Sequence, residues 1–262
     1  MYLDLQFNSA TTPWPVIRDA AIAAEDAGYD ALWVFDHLAG LSVNGTSMLE
    51  AFTLLGALAA STERIALGTL VLNVFHRQPA ITAVAAATVQ AIAGRPMMLG
   101  LGAGSSPDSP WAAESRAAGQ AIEPSLSRRH ARVEQVITTC RRLWSVERDE
   151  ALATFPLPVP PPSLHVGASG PALAALAGRL ADGVNVPWSH RRRDELFAAA
   201  ARADRIVPTP LVRSTYMPFA DGVLAEDAPE RRAMAAAGIE RLVLLVRHPD
   251  PHALAATVAH PR

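Results

Sequence analysis

The chain has 262 residues, half of them hydrophobic and 18% charged, so it is long and apolar enough to form a sizeable core. The formal net charge of −2 gives no basic face for nucleic acid or for an anionic membrane surface. All 23 basic residues are arginine, which excludes Schiff-base chemistry on lysine, and the single Cys140 excludes a disulfide framework or a zinc site of cysteines. No apolar run of about 18 residues and no leader pattern are present, so we expect a cytoplasmic protein that does not span a membrane.

Short apolar strands alternate with alanine-rich amphipathic helices along the chain. In order, the pattern predicts strand 3–8, helix 15–27, strand 31–35, helix 49–61, strand 65–73, helix 79–93, strand 97–102, helix 125–144, strand 164–167, helix 171–180, strand 183–187, helix 191–203, strand 209–217, helix 229–237, strand 241–246 and a last helix near residue 249. Continuous apolar strands are typical of a parallel sheet that is buried on both faces. Eight strand–helix pairs in about 250 residues favour an α/β fold of the (β/α)8 TIM-barrel type over an open doubly wound sheet.

Two irregular segments, 103–124 and 145–162, flank the predicted helix 125–144. The first is rich in Gly, Ser and Pro, and the second ends in a proline run that is typical of a stiff connector. Neither resembles a domain linker, so we predict one domain over residues 1–262.

Asp36 and His37 directly follow the second predicted strand. Barrel enzymes place their catalytic residues at the carboxyl ends of the strands, and histidine suits proton transfer near neutral pH. We therefore predict that both residues are catalytic, with the Asp36 carboxylate orienting the His37 imidazole. The alternative is an exposed pair that caps the next helix.

Other candidate residues follow the later strands at the same end of the predicted barrel. Asn73 and His76 follow strand three, and a glycine-rich exit at residues 99–106 includes Ser105. The turn 167–171 (GASGP) leads into a helix whose N-terminus would favour a phosphate, although it is also compatible with a plain tight turn. Trp188, after strand six, would either cover a bound ring or pack in the core. We predict substrate contacts for Asn73, His76, Ser105 and Trp188.

Several segments together resemble the luciferase-like monooxygenase superfamily of flavin- and deazaflavin-dependent barrels. The segments are 28–37 (GYDALWVFDH), 62–69 (TERIALGT), 94–104 (GRPMMLGLGAG), 167–171 with 181–183 (ADG), and 237–243 (AGIERLV). They follow the order of the family at plausible spacings. Asp-His after strand two resembles the branch that uses coenzyme F420, a deazaflavin.

The resemblance implies an F420-dependent oxidoreductase that transfers a hydride between C5 of the deazaflavin and a small organic substrate. His37 would exchange a proton with the substrate, and a non-proline cis peptide bond matching Leu70–Val71 would support the ring. The implied cofactor contacts are Asp36, Leu70, Val71, Ala103, Gly104, Gly167, Ala168, Ser169 and Gly170. A homodimer is the habit of the family.

The sequence departs from the family in three respects. Ser105 occupies the position at which the sugar-phosphate dehydrogenase of this branch has an acidic residue, and no Trp follows Asp36-His37 closely, so oxidation of a sugar phosphate is not expected. The segment between Trp144 and Ser163 and the C-terminal region are shorter than usual. Two alternatives stay open at this stage: an FMN-dependent monooxygenase on the same barrel, and a non-catalytic cofactor-binding barrel.

Overall fold

A computed structural model describes residues 1–257. Within those residues, eight parallel strands pair each with the next, and the last pairs with the first to close a barrel. The strands are β1 (Tyr2–Phe7), β2 (Ala31–Val34), β3 (Ala66–Asn73), β4 (Met97–Gly102), β5 (Ser163–Gly167), β6 (Gly183–Pro187), β7 (Val212–Pro218) and β8 (Arg241–Val246). The predicted TIM barrel is confirmed. Positions 258–262 of the predicted single domain lie outside the described residues.

A helix follows each strand on the outside of the barrel. The helices are α1 (Trp14–Asp26), α2 (Ala51–Ser61), α3 (Pro79–Ala93), α4 (Ala113–Ala117), α5 (Leu126–Leu143), α6 (Pro171–Leu180), α7 (Arg193–Ala201), α8 (Pro229–Ala236) and α9 (Pro251–Ala255). Proline starts α3 and α6, where its missing N–H has no helical partner to lose. Gly94 ends α3 in the left-handed conformation (φ 65°), which glycine adopts without steric cost.

The segment 103–124 is more regular than its composition predicts. It forms one tight turn at Pro110–Ala112 and then the short helix α4, which contains the buried Glu114. Helix α4 lies against the turn Gly40–Val43 that follows β2. Part of this predicted loop is therefore an ordered cover on the carboxyl end of the barrel.

Apolar side chains fill both the space between barrel and helices and most of the barrel interior. The outer core includes Leu3, Leu32 and Cys140, while Trp33 and Met98 lie inside the barrel. The interior also holds a polar group, in which the Asp4 carboxylate accepts hydrogen bonds from the Trp33 indole at 2.7 Å and from Arg241 at 2.6 Å.

Helices α6 and α7 approach each other very closely. A Cβ atom built on Gly178 of α6 would lie 2.0 Å from the carbonyl oxygen of Ala200 in α7. Glycine is therefore required by the packing at this point. None of the helices within residues 1–257 has the length and apolar character needed to cross a bilayer.

Candidate active site

The end of β2 directs successive side chains to opposite sides of the barrel wall. Residues alternate along a strand, so Ala31 and Trp33 face the interior while Leu32 and Val34 face the helices. The same alternation continues past the strand. The ring centroids of Phe35 and His37 lie 5.6 Å apart on one side, while the Asp36 side chain between them is buried in another direction.

Asp36 is the centre of a buried polar cluster beneath the β2 and β3 loops. Its carboxylate accepts two hydrogen bonds from the Arg77 guanidinium at 2.8 and 2.9 Å, and one from the Asn73 backbone N–H at 3.0 Å. The ring of His76 lies 3.1 Å away. Burial opposes ionisation of Asp36, but the hydrogen bonds from His76 and Arg77 outweigh it and lower the pKa of the carboxyl to about 2.

The carboxylate that contacts His37 belongs to Glu114. Nδ1 of His37 lies 2.9 Å from Oε1 of Glu114, whose side chain is 3% exposed. The prediction that Asp36 orients His37 is wrong, since neighbouring residues of an extended segment point apart. The side chain of His37 is 20% exposed, at the mouth of the barrel.

Two aromatic rings flank the His37 imidazole. Phe35 meets it edge to face, and Trp111 lies 5.5 Å away with its plane tilted by 32°. Trp111 is 46% exposed, and Leu38 and Leu41, which follow His37 in the chain, are exposed as well. The imidazole therefore opens onto an apolar rim.

His76 has no ring nitrogen to offer a substrate. Its side chain is 1% exposed, with Nδ1 at the Asp36 carboxylate and Nε2 at 2.9 Å from the Asn73 amide. Since Asp36 is ionised, Nδ1 of His76 donates and Nε2 accepts. The prediction of a substrate contact at His76 is wrong because burial takes its ring into the Asp36 cluster. Asn73 and Ser105 line a small cavity together with Glu123.

The peptide bond between Leu70 and Val71 is cis, as predicted, and the pairing of β3 with β4 shifts register between Thr69 and Leu72. The side-chain amide of Gln6 on β1 donates a hydrogen bond to the Leu70 carbonyl. The bulge at Leu70–Val71 is therefore tied across the barrel.

Glycines surround this bulge and form what we call the glycine surface, namely Gly102, Gly104 and Gly167. A Cβ atom on Gly102 would lie 2.5 Å from the side chain of Val71, and one on Gly167 would lie 2.9 Å from it. Gly104, next to Ala103, has φ +68°, which favours glycine. The glycines at 102 and 167 therefore leave room for the Val71 side chain, which packs against both of them.

The turn between β5 and α6 leads from this surface to the start of a helix. Ser169 is exposed, and a Cβ atom on Gly170 would meet nothing within 4 Å among the described residues. The backbone N–H of Ala168 donates to the Asn185 carbonyl at 2.9 Å and is not available to a ligand. Trp188 lies after β6, half-buried, with the Arg193 guanidinium stacked on its ring at 3.8 Å.

Sequence reasoning missed Glu114 and Trp111, and it placed Arg77 in the polar cluster after strand three without giving it a role. Glu114 and Trp111 lie in the segment 103–124, where the sequence carries no periodic pattern. The available signal was an acidic residue three positions after a tryptophan, in a loop at the carboxyl end of the barrel. Among the described residues no group of three His, Cys, Asp or Glu side chains is arranged to hold a metal ion.

A family model described as luciferase-like monooxygenase matches residues 4–259. The chain belongs to the luciferase-like monooxygenase family. Similar curated members include an F420-dependent glucose-6-phosphate dehydrogenase of Beutenbergia cavernae, 36% identical over 180 residues, which are 62% of this chain and 49% of that protein. The F420-dependent hydroxymycolic acid dehydrogenase of Mycobacterium tuberculosis is 32% identical over 231 residues, 81% of this chain and 60% of that protein. This family member thus spans about half the length of the first of these relatives.

Solved structures of the same fold include an F420-dependent secondary alcohol dehydrogenase in complex with an F420-acetone adduct. The two chains superpose with a TM-score of 0.72 at 18% identity, covering 97% of this chain and 96% of the other. At this identity the likeness establishes the fold of the luciferase-like protein.

Proposed function

We propose that this protein is a coenzyme F420-dependent oxidoreductase that acts on a neutral, fairly apolar organic molecule. The observation that carries the proposal is the His37 imidazole, held at the barrel mouth by a buried carboxylate and bordered by exposed apolar side chains. The F420-dependent enzymes among the curated relatives support the choice of cofactor.

The residues present fit a deazaflavin. At the Leu70–Val71 bulge, the half-buried Val71, Ala103 and Gly104 would form the wall on which a planar ring system stacks, and the glycines at 102 and 167 make room for Val71. The start of α6 supports an anionic tail, because the N–H groups of its first turn favour a phosphate and Ser169 is exposed beside them. F420, when bound, would exchange a hydride with the substrate at C5.

In this reaction the protein would orient the substrate and transfer one proton. In the oxidation of an alcohol, the hydride of the carbinol carbon would pass to F420, and Nε2 of His37 would accept the hydroxyl proton. In the reverse direction the protonated ring returns that proton to the new alkoxide oxygen. Asp36 acts at a distance, by holding Arg77 and His76 under the loop.

The rim of the pocket supports an uncharged substrate. Trp111 next to His37 and Leu38 after it in the chain expose apolar surface, as does Leu41 in the following turn. Exposed apolar side chains that border a catalytic group are suited to an alkyl or ring substituent. We therefore propose an alcohol, ketone or related neutral compound as the substrate. The homodimer and the cytoplasmic location stay predictions from the sequence.

Binding of the cofactor is tested by separate titrations of the purified protein with F420 and with FMN, followed by tryptophan fluorescence. Trp111 lies next to His37, so a bound ring is expected to quench its emission. Saturable quenching by F420 is the expected result. Tight binding of FMN with no response to F420 refutes the proposal in favour of a flavin enzyme, and binding of neither refutes it in favour of a non-catalytic barrel.

The role of His37 is tested by His37→Asn, with His248→Asn, an exposed histidine after β8, as the matched control. We expect His37→Asn to lower turnover by about 10²- to 10⁴-fold, the range of general acid–base catalysis, with little change in the Kd of F420. Turnover is followed by the absorbance of the deazaflavin with a panel of secondary alcohols. Undiminished turnover removes His37 from the proton transfer.

A further inference from the structure

We propose that Glu114 is a positioning residue that fixes which nitrogen of His37 carries the proton. The proposal rests on the proposed function for its kinetic readout, whereas its spectroscopic readout is independent of any cofactor. Glu114 lies on α4, in the segment that follows β4.

The Glu114 carboxylate is held in place on both oxygens. Oε1 lies 2.9 Å from Nδ1 of His37, and Oε2 accepts the backbone N–H groups of Leu38 and Ala39 at 3.0 and 3.1 Å. The side chain is 3% exposed. A rotation away from His37 would leave the backbone N–H groups of Leu38 and Ala39 without this acceptor.

This arrangement selects one tautomer of the imidazole. An ionised carboxylate accepts hydrogen bonds and cannot donate, so Nδ1 of His37 carries the hydrogen that faces Glu114. Nε2 then holds the lone pair. The rings of Phe35 and Trp111 restrict rotation of the imidazole, so the basic nitrogen keeps a fixed direction.

The alternative role for Glu114 is to hold the loop after β2 through Leu38 and Ala39 alone. Glu114→Gln separates the two roles. The amide oxygen of glutamine still accepts the backbone N–H groups, which preserves the loop. Its NH2 group faces Nδ1 of His37 and donates, so the ring hydrogen moves to Nε2 and the basic nitrogen turns inward. A carboxylate-to-amide change next to a catalytic histidine acts through the wrong tautomer in the same way in a serine protease.

The decisive measurement is the 15N spectrum of the apoprotein labelled at histidine, with the His37 signals assigned by comparison with His37→Asn. We expect wild-type His37 to be protonated at Nδ1 at a pH where the ring is neutral, and Glu114→Gln to be protonated at Nε2. The matched control is Asp108→Asn, an exposed carboxylate of the same loop, which should keep the wild-type pattern. An unchanged tautomer in Glu114→Gln, with the fold intact by circular dichroism, overturns the proposal.

Kinetics give the second readout. We expect Glu114→Gln to lower kcat by about 10²-fold, because Nε2 of His37 would then carry a hydrogen and could not accept a proton. KM and the Kd of F420 should stay within about threefold of the wild-type values. A change confined to KM points to the loop role and refutes positioning. If F420 does not bind at all, the proposed function fails, while the 15N spectra still decide whether Glu114 sets the tautomer.

Discussion

Replacing Asp36 with Asn tests whether the charge of this carboxylate stabilises the fold at the mouth of the barrel. The side chain keeps its size and loses its charge. Arg77 then loses its bidentate partner, and the Nδ1 hydrogen of His76 loses a charged acceptor. Both partners are largely buried, so solvent does not replace the interaction.

The magnitude follows from the pKa of the carboxyl. It is 3.8 in the unfolded chain and about 2 in the folded protein. Because the folded value is the lower one, the stabilisation is complete above pH 3.8 and is lost as the pH falls through 2. The difference corresponds to about 2 kcal/mol at neutral pH and about 1 kcal/mol at pH 3. With the cost of leaving Arg77 without this partner, we expect Asp36→Asn to lower the free energy of unfolding by about 2–4 kcal/mol at pH 7.

Urea unfolding followed by tryptophan fluorescence at pH 7 and at pH 3 provides the assay. The difference in the free energy of unfolding between wild type and Asp36→Asn should be smaller at pH 3 than at pH 7. Glu50→Gln is the matched control, because Glu50 also contacts Arg77 but is 48% exposed and should contribute less than about 1 kcal/mol. The reasoning would be refuted if both variants lowered the free energy of unfolding equally. It would also be refuted if the effect of Asp36→Asn were the same at both pH values.

Two further predictions concern the interior of the barrel and its packing. Burial and the nearby charge of Arg241 lower the pKa of His165 from 6.5 to about 4. The buried ring is therefore neutral and its contribution to stability is complete above pH 6.5. This contribution, about 3 kcal/mol, is lost as the pH falls to 4. His165→Gln should flatten that dependence in urea titrations between pH 7 and pH 5, and an unchanged slope would contradict it. Gly178→Ala should lower the Tm, because the new Cβ would meet the Ala200 carbonyl. Gly56→Ala in α2 has open space around the new Cβ and should raise the free energy of unfolding by up to about 1 kcal/mol. A calorimetric scan in which Gly178→Ala has the higher Tm of the two would be evidence against the close approach of α6 and α7.

The barrel was predictable from the sequence because each strand–helix unit carries its own local signal. An apolar run such as 97–102 and the stop at Gly94 are encoded within a few residues, and chain connectivity then brings the strand ends together. The cis bond at Leu70–Val71 was predictable only through the family resemblance.

The partners of the polar residues were not predictable, because tertiary contacts decide them. Asp36 and His37 are adjacent in sequence, yet strand alternation sends one to Arg77 and the other to Glu114. Glu114 is 77 residues away from His37, in a segment with no periodicity to reveal its burial. A histidine in a loop, such as His76, gives no sequence signal that separates a buried link from a ligand contact.

The pairing of β1 with β8 affects the protein while it is being made. Until Arg241–Val246 has been synthesised, β1 has only one neighbouring strand, and its other edge presents unpaired N–H and C=O groups. Such an edge is a template for pairing with another nascent chain. A premature stop before residue 241 would leave an open sheet with two unpaired edges, and we expect such products to aggregate or to be degraded.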